Sequence, residues 1–113
     1  MEGFVKGDVV VLPFPFSDLY TEKRRPALVI AKGEYDDSVL CQITSKQKKG
    51  IEAIELKGKD FQKGGLKITS YVRPKKIFTA DVGLILYRAG SIKKEKITGV
   101  EDAICKMIKQ VVE

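Results

Sequence analysis

GDVVVLPFPFSDLYTEKRRPALVI, residues 7–30, is the stretch from which the fold of this chain is read. Val9, Val10, Val11 and Leu12 form an apolar, strand-like run that passes directly into Pro13-Phe14-Pro15-Phe16. A polar, charged segment follows. Arg24-Arg25-Pro26 then stands immediately before a second apolar run, Ala27-Leu28-Val29-Ile30. Two cations are therefore fixed at the root of a strand whose composition calls for burial. Ionised groups avoid cores unless they are paired or functional, so this placement needs a reason. Pro13 and Pro15 have no N–H to give a sheet ladder, so strand pairing is expected to stop there and residues 13–25 to form a loop. Loops of that length inside a small domain often carry function.

The first 80 residues read as short strands divided by turns, at 8–12, 27–32, 39–44, 51–56 and 73–79. Gly33, Asp36-Asp37, Gly50, Gly58 and Gly64-Gly65 mark the breaks. Short strands at near-regular spacing predict a small β-barrel that closes its edges around a thin core of Val, Ile and Leu. The period then changes. Val100, Ile104, Met107, Ile108, Val111 and Val112 recur at helical spacing, and Thr98 followed by Glu101 reads as a capping box. The expected class is mainly β, in the α+β sense, with a C-terminal helix that covers an open end of the barrel or meets a partner helix. At 113 residues, the chain 1–113 is expected to form one domain. No apolar run is long enough to span a membrane, and the N-terminus lacks a signal-peptide pattern, so a cytoplasmic location is expected.

The net charge of +6 is unevenly placed. Residues 46–76 hold ten lysines and arginines against Glu52, Glu55 and Asp60, and the remainder of the chain is slightly acidic. A localised excess points to a polyanion partner, where a uniformly basic surface would point only to solubility. Cys41 and Cys105 lie far apart and are expected to be reduced core residues. There is no histidine. That leaves no ligand set for zinc and excludes the Ser-His-Asp and Cys-His nucleophile systems. No metal or cofactor is expected.

Three segments hold candidate functional residues. In Arg24-Arg25-Pro26 the proline fixes its own φ and biases Arg25 toward an extended backbone, so a guanidinium suited to phosphate has a defined origin. A surface pair with Asp18 or Glu22 is the plainer alternative. In Gln42-Ile43-Thr44-Ser45, followed by Lys46, strand alternation puts Gln42 and Thr44 on one face. Thr44 is placed either to hydrogen-bond a phosphate oxygen or to cap the turn that follows. In residues 70–79, Tyr71 and Phe78 are interleaved with Arg73, Lys75 and Lys76. That mixture suits single-stranded nucleic acid, with Phe78 the better candidate for the core.

Together these segments resemble the MazF/PemK-like toxin family. Its pattern is matched by Gly7-Asp8-Val9-Val10, by Phe14-Pro15-Phe16-Ser17-Asp18 and by Arg25-Pro26-Ala27-Leu28-Val29. Ile43-Thr44-Ser45 and Ile77-Phe78-Thr79-Ala80-Asp81 match its later segments. The resemblance covers nearly the whole chain. It implies a small SH3-like or CcdB-like barrel with a helix, a homodimer, and a metal-independent, sequence-specific endoribonuclease of single-stranded RNA. It also implies neutralisation by an acidic antitoxin protein. Arg25 and Thr44 match positions the family uses in catalysis. Arg24, Ser45, Lys46, Tyr71, Arg73, Lys75 and Lys76 are the accompanying RNA-binding candidates.

The chain departs from some relatives. Certain members carry a carboxylate where this chain has Lys75, and others use a histidine in the loop before Arg-Pro. A general base here has to come from Asp18, Glu22 or Asp81, or from a second subunit. A desolvated Lys75 is the candidate acid. The alternative readings are a non-catalytic RNA- or protein-binding barrel and a gyrase poison like the related CcdB toxins. The terminal Lys-Gln-Val-Val-Glu lacks the aromatic-containing ending that the gyrase poisons use.

Overall fold

The strands form a single antiparallel sheet, traced in a computed structural model that describes residues 3–14, 23–47 and 49–110. In chain order they are β1 (Asp8–Phe14), β2 (Lys23–Lys32), β3 (Asp37–Thr44), β4 (Ile54–Leu56), β5 (Phe61–Gly64), β6 (Ser70–Asp81) and β7 (Tyr87–Ile92), followed by helix α1 (Lys94–Lys109). Across the sheet the order is β4-β6-β3-β2-β1-β7-β5. The two outermost strands, β4 and β5, are consecutive in the chain and joined through a 3₁₀ turn at Gly58–Asp60. The sheet therefore curls until its edges share one short connection, giving a nearly closed seven-stranded barrel with one C-terminal helix. The expected mainly-β barrel is the observed fold. Strands β5 and β7 and the full length of β6 were not anticipated.

The central strands are apolar on both faces. Val9, Leu28, Cys41, Ile43, Leu56, Phe61, Val72 and Ile92 pack together inside the barrel. Val10, Leu12, Phe14, Ala27, Val29 and Leu40 form a second cluster on the other face, closed over by Phe4, Phe78 and Ile85. Phe14 and Phe78 meet edge to face with centroids 5.2 Å apart, so Phe78 packs, partly buried, against this core. This two-sided packing explains why β1 reads as a continuous apolar run without the alternation of a half-exposed strand.

Proline positions follow the ladders. Pairing does not stop at Pro13: β1 continues to Phe14, with Pro13 opposite Arg24 and Phe14 opposite Lys23. The ladder from β1 to β7 ends at Val11, so beyond it β1 is paired on one side only and a residue without an N–H is tolerated. Pro26 is placed likewise, inside the β1–β2 ladder but one residue before the β2–β3 ladder begins at Ala27 and Gln42. Pro74 lies in a bulge. Cys41 pairs with Ile77 and Ile43 with Val72, so β6 supplies residues 73–76 against Gln42 alone. Of the loop expected at 13–25, residues 13–14 and 23–25 are strand, and residues 15–22, with the family matches Pro15 to Asp18, lie outside the described residues.

Helix α1 begins at Lys94, with Lys93 as N-cap and no side-chain cap. The capping box expected at Thr98 is not formed, because the helix has already run a turn by then. The Lys93 carbonyl accepts from the Lys96 and Ile97 N–H groups, and Glu95 complements the dipole. Val100 is buried in the barrel core, and Ile97 and Ile104 pack beside it. The helix therefore covers one end of the barrel. Ile108 is exposed, so the apolar face ends a turn earlier than its spacing predicts, and Val111 and Val112 lie outside the described residues. Asp60 ties the edge-joining turn to the helix: Lys96 Nζ lies 3.5 Å from its carboxylate and the Lys57 N–H donates to it at 2.8 Å. Burial pushes the Asp60 carboxyl up, but the Lys57 N–H and the Lys96 ammonium outweigh it and hold it below the ordinary value. At the other end of the chain, buried Asp8 binds Arg88 at 3.0 Å and accepts from the Val5 N–H at 2.9 Å, while the Arg88 guanidinium lies over the Phe4 ring.

Two stability predictions follow from this packing. Gly64 has φ +65° and stands opposite Gly90, where a Cβ would run into the Ala89 carbonyl and Gly90 Cα. Gly64→Ala combines a left-handed backbone with overpacking and should cost about 2 kcal/mol or more in a urea titration. Both cysteines are free, but only Cys41 is buried, and Cys105 is exposed, contrary to expectation. Burial pushes the Cys41 thiol up to about 11. Its folded pKa exceeds the unfolded value, so its contribution is complete below about pH 9 and declines as pH rises from there toward 11. A thiol reagent at pH 8 should label Cys105 in the native protein and Cys41 only after denaturation.

Candidate nucleic-acid interface

The start of β2 and the end of β3 meet at one rim of the sheet. Alternation puts Arg25 on the same face as Ala27, and Thr44 on the same face as Gln42. Ala27 pairs with Gln42, and continuing that antiparallel register sets Arg25 opposite Thr44. Both residues are partly buried, and both line a cleft of about 610 Å³. The register thus brings Arg25 and Thr44 to one cleft.

The described lining of the cleft has one electrostatic character. Lys23, Arg24, Arg25, Lys46, Lys67 and Arg73 line it, and no carboxylate among the described residues does. None of these six cations forms an ion pair among the described residues. Arg73 enters from the β6 bulge, where Pro74 interrupts the ladder. Thr44 is held by the turn that follows, since its Oγ1 accepts the Lys46 N–H at 3.2 Å. A hydroxyl that accepts there keeps its proton for a second partner, so capping the turn and donating to an anion are compatible.

Of the residues singled out from the sequence, Arg24, Arg25, Thr44, Ser45, Lys46 and Arg73 are brought together. Tyr71, Lys75 and Lys76 are not part of the lining. Tyr71 is a central ladder residue between Thr44 and Glu55. Lys75 and Lys76 project from the bulge and are exposed, so Lys75 is not desolvated. Residues that the sequence reading missed complete the lining: Ile51, Ala53, Leu66, Lys67, Ile68 and Ser70. Only Lys67 carried a signal, through the charge excess of residues 46–76. Ile51 had been read as strand, yet β4 begins at Ile54 and leaves Ile51 exposed at the cleft. The apolar part of the described lining is thus aliphatic rather than aromatic.

A second concavity, of about 690 Å³, lies at the far end of β3 and is acidic, with Asp36, Asp37 and Asp81 in its lining. Asp37 and Asp81 pair directly across β3 and β6, and Asp81 Oδ1 accepts the Gly83 N–H at 2.7 Å. Asp81 therefore stands at the opposite end of the strand from Thr44, roughly 20 Å away at strand rise. It is removed as a base for the basic cleft of its own subunit.

No curated protein matches the chain by sequence. Among solved structures, the chain is similar to the MazE-MazF complex from Deinococcus radiodurans, with TM-score 0.76 and 17% identity over 97% of this chain and 100% of that one. It is also similar to an endoribonuclease from a mycobacterial species, with TM-score 0.72 and 15% identity over 100% and 98% of the two chains. Toxin MazF-mt6 from Mycobacterium tuberculosis gives TM-score 0.69 and 13% identity over 93% and 99%. These likenesses establish the shared barrel. A model of the PemK-like, MazF-like toxins of type II toxin-antitoxin systems matches residues 5–108. That span takes in β1 through nearly all of α1 and both walls of the cleft, and the chain belongs to this toxin family.

Proposed function

We propose that this protein is the toxin of a toxin-antitoxin pair and cleaves single-stranded RNA in the cytoplasm, as a homodimer, without a metal ion. The observation that carries the reading is the cleft itself: six cations without a carboxylate partner among the described residues, gathered around Arg25 and Thr44. Such a lining attracts a polyanion and offers few ligands to a divalent cation. An acidic antitoxin segment meets the same complementarity, which makes the cleft a site where substrate and inhibitor compete.

Metal-independent cleavage starts from the ribose 2′-oxygen, which attacks the adjacent phosphorus as its proton leaves. The bond from phosphorus to the 5′-oxygen breaks, and that oxygen takes up a proton. The products are a 2′,3′-cyclic phosphate and a 5′-hydroxyl. Arg25 and Arg73 are placed to meet the charge that grows on the phosphorane oxygens, and the free Thr44 proton to donate to one of them. One preorganised donor of this kind is worth about 3–4 kcal/mol of barrier. Arginine stays protonated and is a poor acid or base. The remaining candidates for proton transfer are Asp18 and Glu22, outside the described residues, and a carboxylate of a second subunit. The absence of a carboxylate or histidine from the described lining favours one rival: a barrel that binds RNA in this cleft and does not cut it.

Long single-stranded RNA incubated with the protein in chelator should yield fragments with cyclic phosphate ends. Arg25→Ala should reduce this cleavage at least about a hundredfold at an unchanged melting temperature. Cleavage that needs added Mg²⁺, or that survives the substitution, counts against the proposal, and binding without fragments selects the rival. Asp18→Ala and Glu22→Ala, compared under the same conditions, identify whether either supplies the base. Binding to an uncleavable oligonucleotide should weaken linearly in log salt, and Arg73→Ala should reduce the slope by about 0.7 if that guanidinium contacts one phosphate.

A further inference from the structure

Strand β6 is covered on its outer side only at its start. β4 pairs with Ser70, Tyr71 and Val72 and then ends, while β3 follows β6 on the inner side as far as Asp81. Among the described residues no strand lies outside β6 beyond Val72, and no backbone hydrogen bond runs outward from residues 75–81. Every residue from Lys75 to Asp81 is at least partly exposed, whereas Ser38, Leu40 and Cys41 opposite them on β3 are buried. The open edge has firm limits. Pro74 has no N–H to give and closes it at one end, and the 3₁₀ turn at Val82–Leu84 closes it at the other. An unpaired row of N–H and C=O groups of this length is a template for another strand.

The charges on the edge identify the strand that fits it. Lysines on an edge ordinarily discourage pairing. Here Lys75 and Lys76 stand at one end and Asp81 at the other, so a strand of the same sequence laid antiparallel sets unlike charges opposite each other. With Phe78 of both copies at the two-fold axis, Lys75 of each copy faces Asp81 of the other, and exposed Ile77 faces Thr79. A cation beside Asp81 offsets a cost already present, since Asp81 faces Asp37 within its own sheet. The turn after Asp81 diverts each chain before it meets β4 of the other copy. The pairing uses up the edge in both copies, so the assembly closes at two. Resting on the homodimer reading above, we infer that a second copy of this chain docks along β6, with residues 75–81 of the two copies paired antiparallel. Asp81 of the second copy is then opposite Lys75, two residues along β6 from Arg73, which lines the cleft.

The test uses the full chain with Cys105→Ser, which leaves buried Cys41 as its native thiol. Lys75→Cys and Asp81→Cys are introduced singly and together, and the native protein is treated with a short bismaleimide. Covalent dimers should form only when both cysteines are present, because positions 75 and 81 of one chain stand roughly 20 Å apart along the strand, beyond the reach of the reagent. In sedimentation equilibrium, Lys75→Asp and Asp81→Lys should each weaken dimerisation about tenfold, since the two-fold axis counts each lost pair twice, and the two together should restore it. Thermal melting checks that each variant folds, and Lys75→Asp alters a fully exposed side chain. A dimer that is neither linked by the reagent nor weakened by charge reversal overturns the β6 assignment and leaves the homodimer reading standing. A wild type that sediments as a monomer throughout the concentration range defeats both.

Discussion

The hydrogen-bonded ladder between β2 and β3, and the point at which it ends, governs the rest of this structure. The ladder closes at Ala27 and Gln42 because the next residue of β2 is Pro26. Past that point β2 remains held by β1 through Pro26, Arg25, Arg24 and Lys23. The arginines are thus on a rigid strand with one edge open, rather than in a loop. A guanidinium on a strand paired on its other side has a fixed backbone origin, so only its side chain is left to be ordered when an anion binds. Pro74 does the same from β6, where the ladder opposite Gln42 is broken and Arg73 is turned into the cleft.

Strand β3 also separates the charges. Its C-terminal end lies among six cations, and its N-terminal end lies with Asp36, Asp37 and Asp81. Asp37 and Asp81 face each other directly, an arrangement that costs energy in a sheet. The sheet accommodates it because the Asp81 carboxylate is occupied by the Gly83 N–H at the strand end. With about 20 Å between the two sites, at roughly one residue per 3.3 Å of strand, the acidic end does little at physiological salt to neutralise the basic one. A polyanion that reaches the basic cleft therefore meets its cations with little opposition from the acidic end.

The rim is supported by apolar packing on both faces of the sheet. Central strands buried on both faces hold Val9, Leu28 and Ile43 inside the barrel and Val10, Ala27 and Leu40 outside it. Helix α1 then covers an end through Val100 and ties down the junction of the two edge strands through Lys96 and Asp60. The edges that would otherwise template further strands are short and joined, which is how small barrels avoid edge pairing.

Much of this was legible in the sequence. The apolar run at Val9–Leu12, the glycine-marked breaks and the helical spacing from Val100 to Ile108 are local patterns, and each named its element correctly. The Arg-Pro device and the Gln42–Thr44 alternation singled out Arg24, Arg25, Arg73, Gln42 and Thr44, which all line the cleft. What failed was wherever a neighbour decided the outcome. Pro13 was read as a terminator, but a proline ends a ladder only on an edge that has a partner, and β7 had already left. Tyr71 and Lys75 are singled out by the mixture of basic and aromatic residues, but neither lines the cleft, and the four-residue bulge beside Gln42 changes which side chains of β6 face it. Helix α1 starts before Thr98 because the chain leaving Ile92 already packs Ile97 on the core. Composition and periodicity alone therefore determined that this chain is a barrel with a helix and a basic site. Tertiary pairing alone decided which cations converge, because convergence depends on register between strands distant in the chain, and no local pattern encodes where a ladder ends.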